Sequence, residues 1–168
     1  MALEKTTAKY PIKRVVVKQH SVGAGVSSKV ISNISQSLLP SRVVIGMVSN
    51  KAYDSAFELN SFNFQHFGLT KLNLMIDGQG YYSLFENIDK PVFATGNDIS
   101  REDFPNGYSL YAFDLTQDLC SGDQFNMIKT GNLDVAITFK KGIDNSIVVL
   151  FYMEYDNLVE INNKYEVS

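Results

Sequence analysis

Apolar and polar residues alternate along several short stretches of this chain, and the alternation predicts β-strands. In the stretch 133–139, large apolar residues occupy every second position and more polar residues lie between them. This pattern predicts a strand with one buried face and one wet face. Short apolar or β-branched runs at 12–19, 42–48 and 71–76 predict three more strands. The pattern in 27–39 is weak and leaves helix, strand and loop open.

Two stretches, 108–114 and 146–155, carry apolar or aromatic residues at successive positions. Strands of this kind are buried on both faces, so we expect 108–114 to lie centrally in its sheet. We expect 146–155 to need cover on both sides, from a loop, a second barrel or a neighbouring subunit. A further apolar run at 158–161 predicts a last short strand. The candidate interface residues are Val148, Leu150 and Tyr152, or else their alternates.

Turn signals separate these runs and decide the fold class. Asp77-Gly78 predicts a tight turn directly after a strand, and Asn50 indicates a loop. Seven or eight short strands separated by turn signals are typical of an antiparallel sandwich or barrel. We therefore expect an all-β protein with little helix.

An aromatic run and a polar run lie between the predicted strands. We expect the rings of the aromatic run to pin a loop to the sandwich, and the polar run to form a turn that leads into the strand beginning at Gly107. Pro105-Asn106-Gly107 ends the polar run, so one helical turn at most fits there. The residues of the two motifs are Phe62, Phe64 and Phe67, and Asn97, Asp98, Ser100, Arg101 and Asp103.

Length, charge and cysteine content narrow the function classes. The chain has 168 residues with 45% hydrophobic and 20% charged residues, which indicates one globular domain over 1–168. Within it, 1–9 is predicted to be a disordered or extended tail, and 163–168 a polar tail. A net charge of -3 with scattered Lys and Arg disfavours nucleic-acid binding. The single cysteine, Cys120, excludes an internal disulfide and a multi-cysteine zinc site.

The sequence predicts neither a membrane span nor a reaction centre. No apolar run reaches the roughly 18 residues of a span, and the first residues lack a secretion signal, so we expect an intracellular, soluble product. His20 and His66 are the only histidines, too few for a three-ligand site, and no Gly-x-Ser-x-Gly motif is present. We expect His66 to be a packed, hydrogen-bonded ring, and we expect no cofactor, no metal and no enzymatic activity.

Six short motifs follow one another over most of 10–162. They are Tyr10 to Val15, Arg42 to Val48, Phe62 to Phe64, Leu74 to Gly78, Gly96 to Phe104 and Phe125 to Leu133. In this order they resemble the hexon-like major capsid protein of Polinton/Maverick elements and adintoviruses. The stretch between Gly78 and Tyr81 is shorter than in that family, and the matching part corresponds to the second jelly roll only.

The resemblance implies a fold, an assembly and a location. Such proteins are double jelly rolls, and three subunits form a capsomer of the virion shell. It therefore implies a jelly-roll sandwich of about eight strands, self-association as a trimer in the full capsid protein, contacts with a second jelly roll or other capsid proteins, and no direct contact with nucleic acid or membrane. The alternative is a jelly-roll module that binds a glycan or a protein ligand.

Overall fold

A computed structural model describes residues 8–54, 57–83, 103–115 and 129–161 of the chain. The described part consists of strands and one short helical turn. In chain order the elements are β1 (Ala8–Val22), β2 (Ser28–Ser35), β3 (Arg42–Ser49), α1 (Asn50–Tyr53), β4 (Phe64–Gln65), β5 (Leu69–Ile76), β6 (Gln79–Ser83), β7 (Asn106–Gly107), β8 (Leu110–Asp114), β9 (Leu133–Phe139) and β10 (Ile147–Ile161).

Eight of these strands form two four-stranded antiparallel sheets. Sheet A has the order β1-β10-β3-β8 and sheet B has the order β2-β9-β5-β6. Most successive strands along the chain alternate between the two sheets, and only β5 and β6 form a hairpin within one sheet. This is the arrangement of a jelly roll, in which two sheets pack face to face. The predicted antiparallel sandwich of jelly-roll type is therefore confirmed.

The core lies between the sheets and is formed by every second residue of each strand. In β10 the odd-numbered residues from Ile147 to Tyr155 face inward, and in β9 the apolar set predicted from alternation does so. Burial of these side chains is the main favourable contribution to folding, at roughly 25 cal/mol per Å² of apolar surface. The largest fully buried side chains include Phe151, Ile45, Met47, Leu72, Leu74, Leu133, Ile137, Ile147 and Met153.

Strands β1 and β10 extend beyond the rest of sheet A. They pair along their whole length, from Val22 opposite Ile147 to Ala8 opposite Ile161, whereas β3 pairs with β10 only as far as Glu154. Residues 8–14 and 155–161 therefore form a two-stranded ribbon, which we call the ribbon. The ion pair between Lys9 and Glu160, at 2.7 Å, links its two strands.

The inner end of the ribbon is fixed to the sandwich by a buried tyrosine. The Tyr155 hydroxyl shares a hydrogen bond of 2.7 Å with the Ser35 hydroxyl, and Ser35 donates to the Leu38 carbonyl. The Arg14 guanidinium lies 5.3 Å from the centre of the Tyr155 ring, within the range of a cation–π contact. These contacts join β1, β2 and β10 at one point.

The structure corrects three sequence-based predictions. The strand within 108–114, observed as β8, lies at the edge of sheet A and not at its centre. Its apolar residues on the second face are exposed, with Leu110 47% accessible. The run 158–161 is not a separate strand, because β10 continues through it without a turn. Asn50 begins α1 and not a loop.

Other predictions are confirmed with changed bounds. Strands at 12–19, 42–48 and 71–76 are observed as β1, β3 and β5, and the Asp77-Gly78 turn follows β5. Both turn residues have positive φ angles, 49° and 77°, a conformation that glycine adopts without strain. The open segment 27–39 contains β2. Because β1 begins at Ala8, the end of the predicted tail at 1–9 is a strand, while 1–7 and the tail at 163–168 lie outside the described residues.

Because Tyr111 is buried in the core, the free energy of unfolding is expected to decrease at alkaline pH. Burial raises the pKa of Tyr111 to about 12, and a hydrogen bond with Ser109 partly lowers it. The unfolded chain releases this proton near pH 10 while the folded chain keeps it, so the free energy of unfolding decreases as pH rises from about 10 to about 12. Between pH 8 and 11, we expect urea unfolding of the native chain to lose roughly 1 kcal/mol more stability than the Tyr111→Phe variant. Equal losses in the two proteins would contradict the assignment.

Candidate functional site

The outer face of sheet A is the candidate functional site, because apolar side chains gather there outside the core. Cross-strand register places Val17, Tyr152, Val44 and Ala112 directly opposite one another on the four strands. Val17 is 62% exposed and Tyr152 38% exposed. We call these four residues the central row. Side chains opposite each other on one face of a sheet are in contact, so the row is a continuous apolar band across the sheet.

A charged row lies on one side of the central row. In register, Val15, Glu154, Arg42 and Asp114 follow one another across the sheet. Arg42 and Glu154 form an ion pair of 3.8 Å, and the Tyr152 hydroxyl donates to Glu154 at 3.2 Å. Loss of hydration raises the pKa of Tyr152, the hydrogen bond and charge of Glu154 raise it further, and Arg42 lowers it. The apolar band therefore has one rim that carries both signs of charge.

On the other side of the central row, the chain covers part of its own sheet. Val148, one of the three candidate interface residues, is 2% exposed and packs with Val48 and Ala52 beneath α1. Backbone hydrogen bonds from Asn50 to the Ser146 carbonyl and from Asp54 to the Asn50 carbonyl hold α1 over this end. Leu150 is half-buried beside the cluster and Tyr152 is exposed. Of the three candidates, Leu150 and Tyr152 therefore offer accessible surface.

The Phe64 ring also covers this end of the sheet, because it lies directly over Gly46. A Cβ atom on Gly46 would lie 2.8 Å from Phe64 Cδ1 and 2.9 Å from Leu110 Cδ2, closer than packed carbon atoms approach. The absent side chain at Gly46 therefore makes room for the Phe64 ring, which β4 and β7 hold by pairing with each other. We call α1 together with the Phe64 segment the raised end of the face.

The other described residues of the predicted motifs are Phe62, Phe67 and Asp103. Phe67 packs against the core with a φ angle of 48°, whereas Phe62 is 77% exposed and does not pin a loop. Asp103 lies in a turn in which its carbonyl accepts a hydrogen bond from the Asn106 amide at 2.8 Å. The motif residues Asn97, Asp98, Ser100 and Arg101 lie outside the described residues, as does Cys120.

The outer face of sheet B differs chemically from that of sheet A. In register, Ser28, Thr138 and Lys71 form one row, and Val30, Ala136 and Asn73 form the next. The Asn73 Oδ1 atom is buried without a hydrogen-bond partner in the described part of the chain. Small or polar side chains are the majority in these two rows, and Val30, 53% exposed, is their one large apolar residue. The two outer faces of one sandwich thus present different surfaces, and only that of sheet A has an apolar row of four residues.

The described residues bring together no reaction centre. Within these ranges, no group of three or more His, Cys, Asp or Glu side chains is placed to hold a metal ion. The His66 ring accepts a hydrogen bond at Nδ1 from the Gly68 amide at 2.8 Å, as expected for a packed histidine, while His20 lies on β1 opposite Val149. No helix in the described part is long and apolar enough to cross a membrane.

An open depression of about 580 Å³ lies at one end of the sandwich. Its described lining contains no aromatic ring, which a site for stacking sugars uses. Nothing in it therefore favours a glycan ligand. The lining residues are Leu39, Ile76, Asp77, Gln79, Gly80, Lys129 and Thr130.

Comparison with known proteins identifies the fold but no close relative. No model of a known protein family matches the chain. In sequence, it is similar to the uncharacterized protein F54H12.2 of Caenorhabditis elegans, with 20% identity over 181 residues that cover 95% of this chain and 43% of the worm protein. This identity is too low to assign the chain to a family.

Solved structures with the same fold come from viral capsids. The Sputnik virophage structure determined by cryo-EM matches with a TM-score of 0.55 and 14% identity, covering 96% of this chain and 38% of that chain. The PBCV-1 capsid quasi-atomic model matches with a TM-score of 0.52 and 9% identity, covering 94% and 50%. PBCV-1 VP54, fitted into a Sputnik reconstruction, matches with a TM-score of 0.53 and 10% identity, covering 93% and 50%. The shared feature is the jelly roll.

These neighbours are viral major capsid proteins with double jelly-roll folds. The chain spans half or less of the length of each of these four proteins. At these identities the likeness shows the fold alone, and the assignment to Polinton elements or adintoviruses made from sequence motifs stays a prediction.

The sequence did not single out Val17, Val44, Ala112, Arg42 or Glu154 as surface residues of one site. A signal was present in β3, where Val44, Gly46 and Val48 alternate with the apolar inward set, so that both faces are apolar. What the sequence lacked was the strand order, which brings residues separated by more than 100 positions into one row.

Gly46→Ala tests how the Phe64 segment is held. The added methyl group forces the Phe64 ring away from the sheet, and overpacking of this kind costs about 1–3 kcal/mol. Gly23→Ala is the matched control, because no atom lies within 4 Å of a Cβ at Gly23. We expect urea unfolding to show a lower midpoint for Gly46→Ala and a change within about 0.5 kcal/mol for Gly23→Ala. A stable Gly46→Ala protein would contradict the close contact.

A second pair of variants separates the covered part of the face from the accessible part. Val148→Ala removes two methyl groups beneath α1, and we expect a loss of about 1–2 kcal/mol in the free energy of unfolding. Tyr152→Thr keeps a strand-forming residue at an exposed position, and we expect a loss below about 1 kcal/mol. Chemical denaturation of both variants measures the difference. A larger loss for Tyr152→Thr would show that Tyr152 is a structural residue and not an accessible contact.

Proposed function

We propose that this chain is a structural, non-enzymatic jelly-roll domain of a viral or transposon-encoded capsid, and that it acts by assembling with other proteins. The observation that carries the proposal is that 93–96% of the chain matches part of viral capsid chains. One fold hosts many functions, so the surface must also fit the proposal. The exposed apolar row on the outer face of sheet A does fit, because such surfaces mark contacts between proteins.

The finer form of the proposal follows the sequence motifs. They resemble the hexon-like capsid proteins of Polinton/Maverick elements and adintoviruses, whose subunits assemble as trimers. In this proposal the complete capsid protein forms trimers, its location is the virion, and its partners are further jelly rolls. Leu150 and Tyr152 belong to the contact surface, whereas Val148 supports it from beneath α1.

Native mass spectrometry combined with electron microscopy tests the assembly. We expect the purified chain, or a longer parent protein that contains it, to form trimers or shell-like particles at micromolar concentrations. Lys71→Glu is a control, because it changes a charge on the polar outer face of sheet B and should leave assembly unchanged. If the purified chain and the longer parent protein were both strictly monomeric over this range, the proposal would be contradicted.

A further inference from the structure

The edge strands of the two sheets differ in length and regularity. Among the described edges, β8 has only five residues, and β2 and β6 pair with their neighbours through shifted registers. Short or bulged edge strands are protected from pairing with another chain. The remaining edge strand, β1, is 15 residues long and pairs with β10 without a register shift. Of the described edges, β1 is therefore the best suited to accept an additional strand.

The hydrogen bonds of sheet A decide which backbone groups of β1 are free. The Asn50 amide donates to the Ser146 carbonyl in the register that pairs β3 with β10. Successive residues of an antiparallel strand bond to opposite sides, so even-numbered residues of β10 bond to β3 and odd-numbered residues bond to β1. The register then directs the odd-numbered residues of β1 to the open side. Pro11 fits this assignment, because a proline lies on an edge strand where its missing N–H faces outward.

A row of unpaired backbone groups follows from this register. We call residues 15–21 of β1 the open edge, and no backbone hydrogen bond on its open side is found in the described part of the chain. A strand added in antiparallel orientation would form about eight hydrogen bonds there, two at each outward residue. The outward residues are Val15, Val17, Gln19 and Ser21.

The open edge lies beyond the reach of the segment that precedes β1. Val15 is seven residues from Ala8, about 23 Å along the strand. Even folded back through a two-residue hairpin loop, residues 1–7 would pair no further than Ile12. They would therefore leave the open edge accessible to another strand.

Basic side chains flank the open edge, and the described part of the chain does not neutralise them. Lys18 lies in the even-numbered, inward row of β1, and Lys29 lies in the inward row of β2, the edge strand in contact with β1. Both lysines are exposed, and neither forms an ion pair among the described residues. No acidic residue is present in β1. This side of the sandwich is therefore positively charged.

We infer that the open edge binds an extended acidic segment of a partner protein as an added strand. In strand addition, main-chain hydrogen bonds give affinity and side-chain contacts give specificity. The lysines discourage a second copy of β1, because like charges opposite each other are unfavourable in a sheet, and they favour a strand that carries carboxylates. The inference goes beyond the proposed function, because it concerns a sheet edge and a different kind of partner.

The geometry also specifies the pattern of the partner segment. A residue opposite Val17 shares its outer face, where Val15 and Val17 are 44% and 62% exposed, whereas a residue opposite Lys18 shares the inner face. Lys18 bonds to β10, so a residue opposite it on the open side forms a non-hydrogen-bonded pair, in which side chains lie closer together. The partner segment should therefore alternate acidic residues opposite Lys18 and its row with apolar residues opposite the valines.

The first test is amide hydrogen exchange, measured residue by residue by NMR on the intact chain. In the free protein, the amides of Val17 and Gln19 should exchange at least about tenfold faster than those of Val16 and Lys18, which donate to β10. Protection of Val17 and Gln19 in the free protein would show that the chain covers its own edge, and would overturn the inference.

The second test uses two synthetic peptides of about eight residues, within the usual length of a strand. One alternates valine with glutamate and the other alternates valine with lysine. At concentrations up to about 1 mM, the glutamate peptide should protect the amides of Val17 and Gln19. The lysine peptide should bind about tenfold more weakly, because its charges oppose Lys18. Equal binding of the two peptides, or no protection by the glutamate peptide, overturns the inference.

Charge reversal tests the assigned lysines. Lys18→Glu combined with Lys29→Glu should make the lysine peptide the tighter ligand, whereas Lys71→Glu, on the outer face of sheet B, should leave the preference unchanged. Circular dichroism and the unfolding midpoint check that each variant is folded. Lys18→Gln is the milder variant, with an expected loss of about threefold in affinity for the glutamate peptide. An unchanged preference in the double variant, or unchanged affinity in Lys18→Gln, contradicts the inference.

The outcomes separate this inference from the proposed function. Neither the exchange experiment nor the peptide titration depends on assembly. If the peptides do not bind but trimers or particles form, the inference fails and the proposed function stands. If the glutamate peptide binds but the chain and its longer parent remain monomeric, the proposed function fails and the open edge is still a binding site.

Discussion

The pairing of β10 with β1 and β3 is the constraint on which the rest of the structure depends. From Ile147 to Tyr155 the odd residues of β10 enter the core and the even residues face outward, so the register assigns each of these side chains to one side of the sheet. A slip of one residue would exchange Phe151 with Tyr152. It would bring a tyrosine hydroxyl into an apolar core, where an unpaired polar group is unfavourable, and would place phenylalanine in solvent. The same register places Val17 and Val44 opposite Tyr152 in the central row.

The outer face follows from that register and from what the chain folds over it. Val148 and Gly46 are both outward positions, yet α1 covers the first and Phe64 the second. Among the described residues this cover ends at the central row, where Val17 and Tyr152 are exposed. The apolar residues on the outer side of β10 therefore differ along the strand. Val148 is covered by its own chain, whereas Tyr152 is accessible and belongs to the proposed contact surface.

The sequence predicted those features of the structure that depend only on residues close together in the chain. Alternation in 133–139 and the Asp77-Gly78 turn depend on neighbouring residues, and both are observed as predicted. The central position predicted for 108–114 is wrong because apolar residues on both faces arise from an exposed face as well as from burial. Tyr108 and Leu110 show this, with 55% and 47% exposure. The rows of the outer face require strand order, which pairs Tyr152 with Val44 over a separation that no local pattern encodes.

The difference between the two outer faces carries more information about function than the jelly roll itself. A jelly roll serves many proteins, and it requires only that the inward set be apolar. Nothing in the fold requires Val17, Tyr152 and Val44 to be apolar, because Lys71, Thr138 and Ser28 occupy comparable outward positions on sheet B. The outer face of sheet A is therefore more apolar than folding requires, and in the proposed assembly it is the surface expected to contact another molecule. The chemistry of this face, and not the topology, carries that expectation.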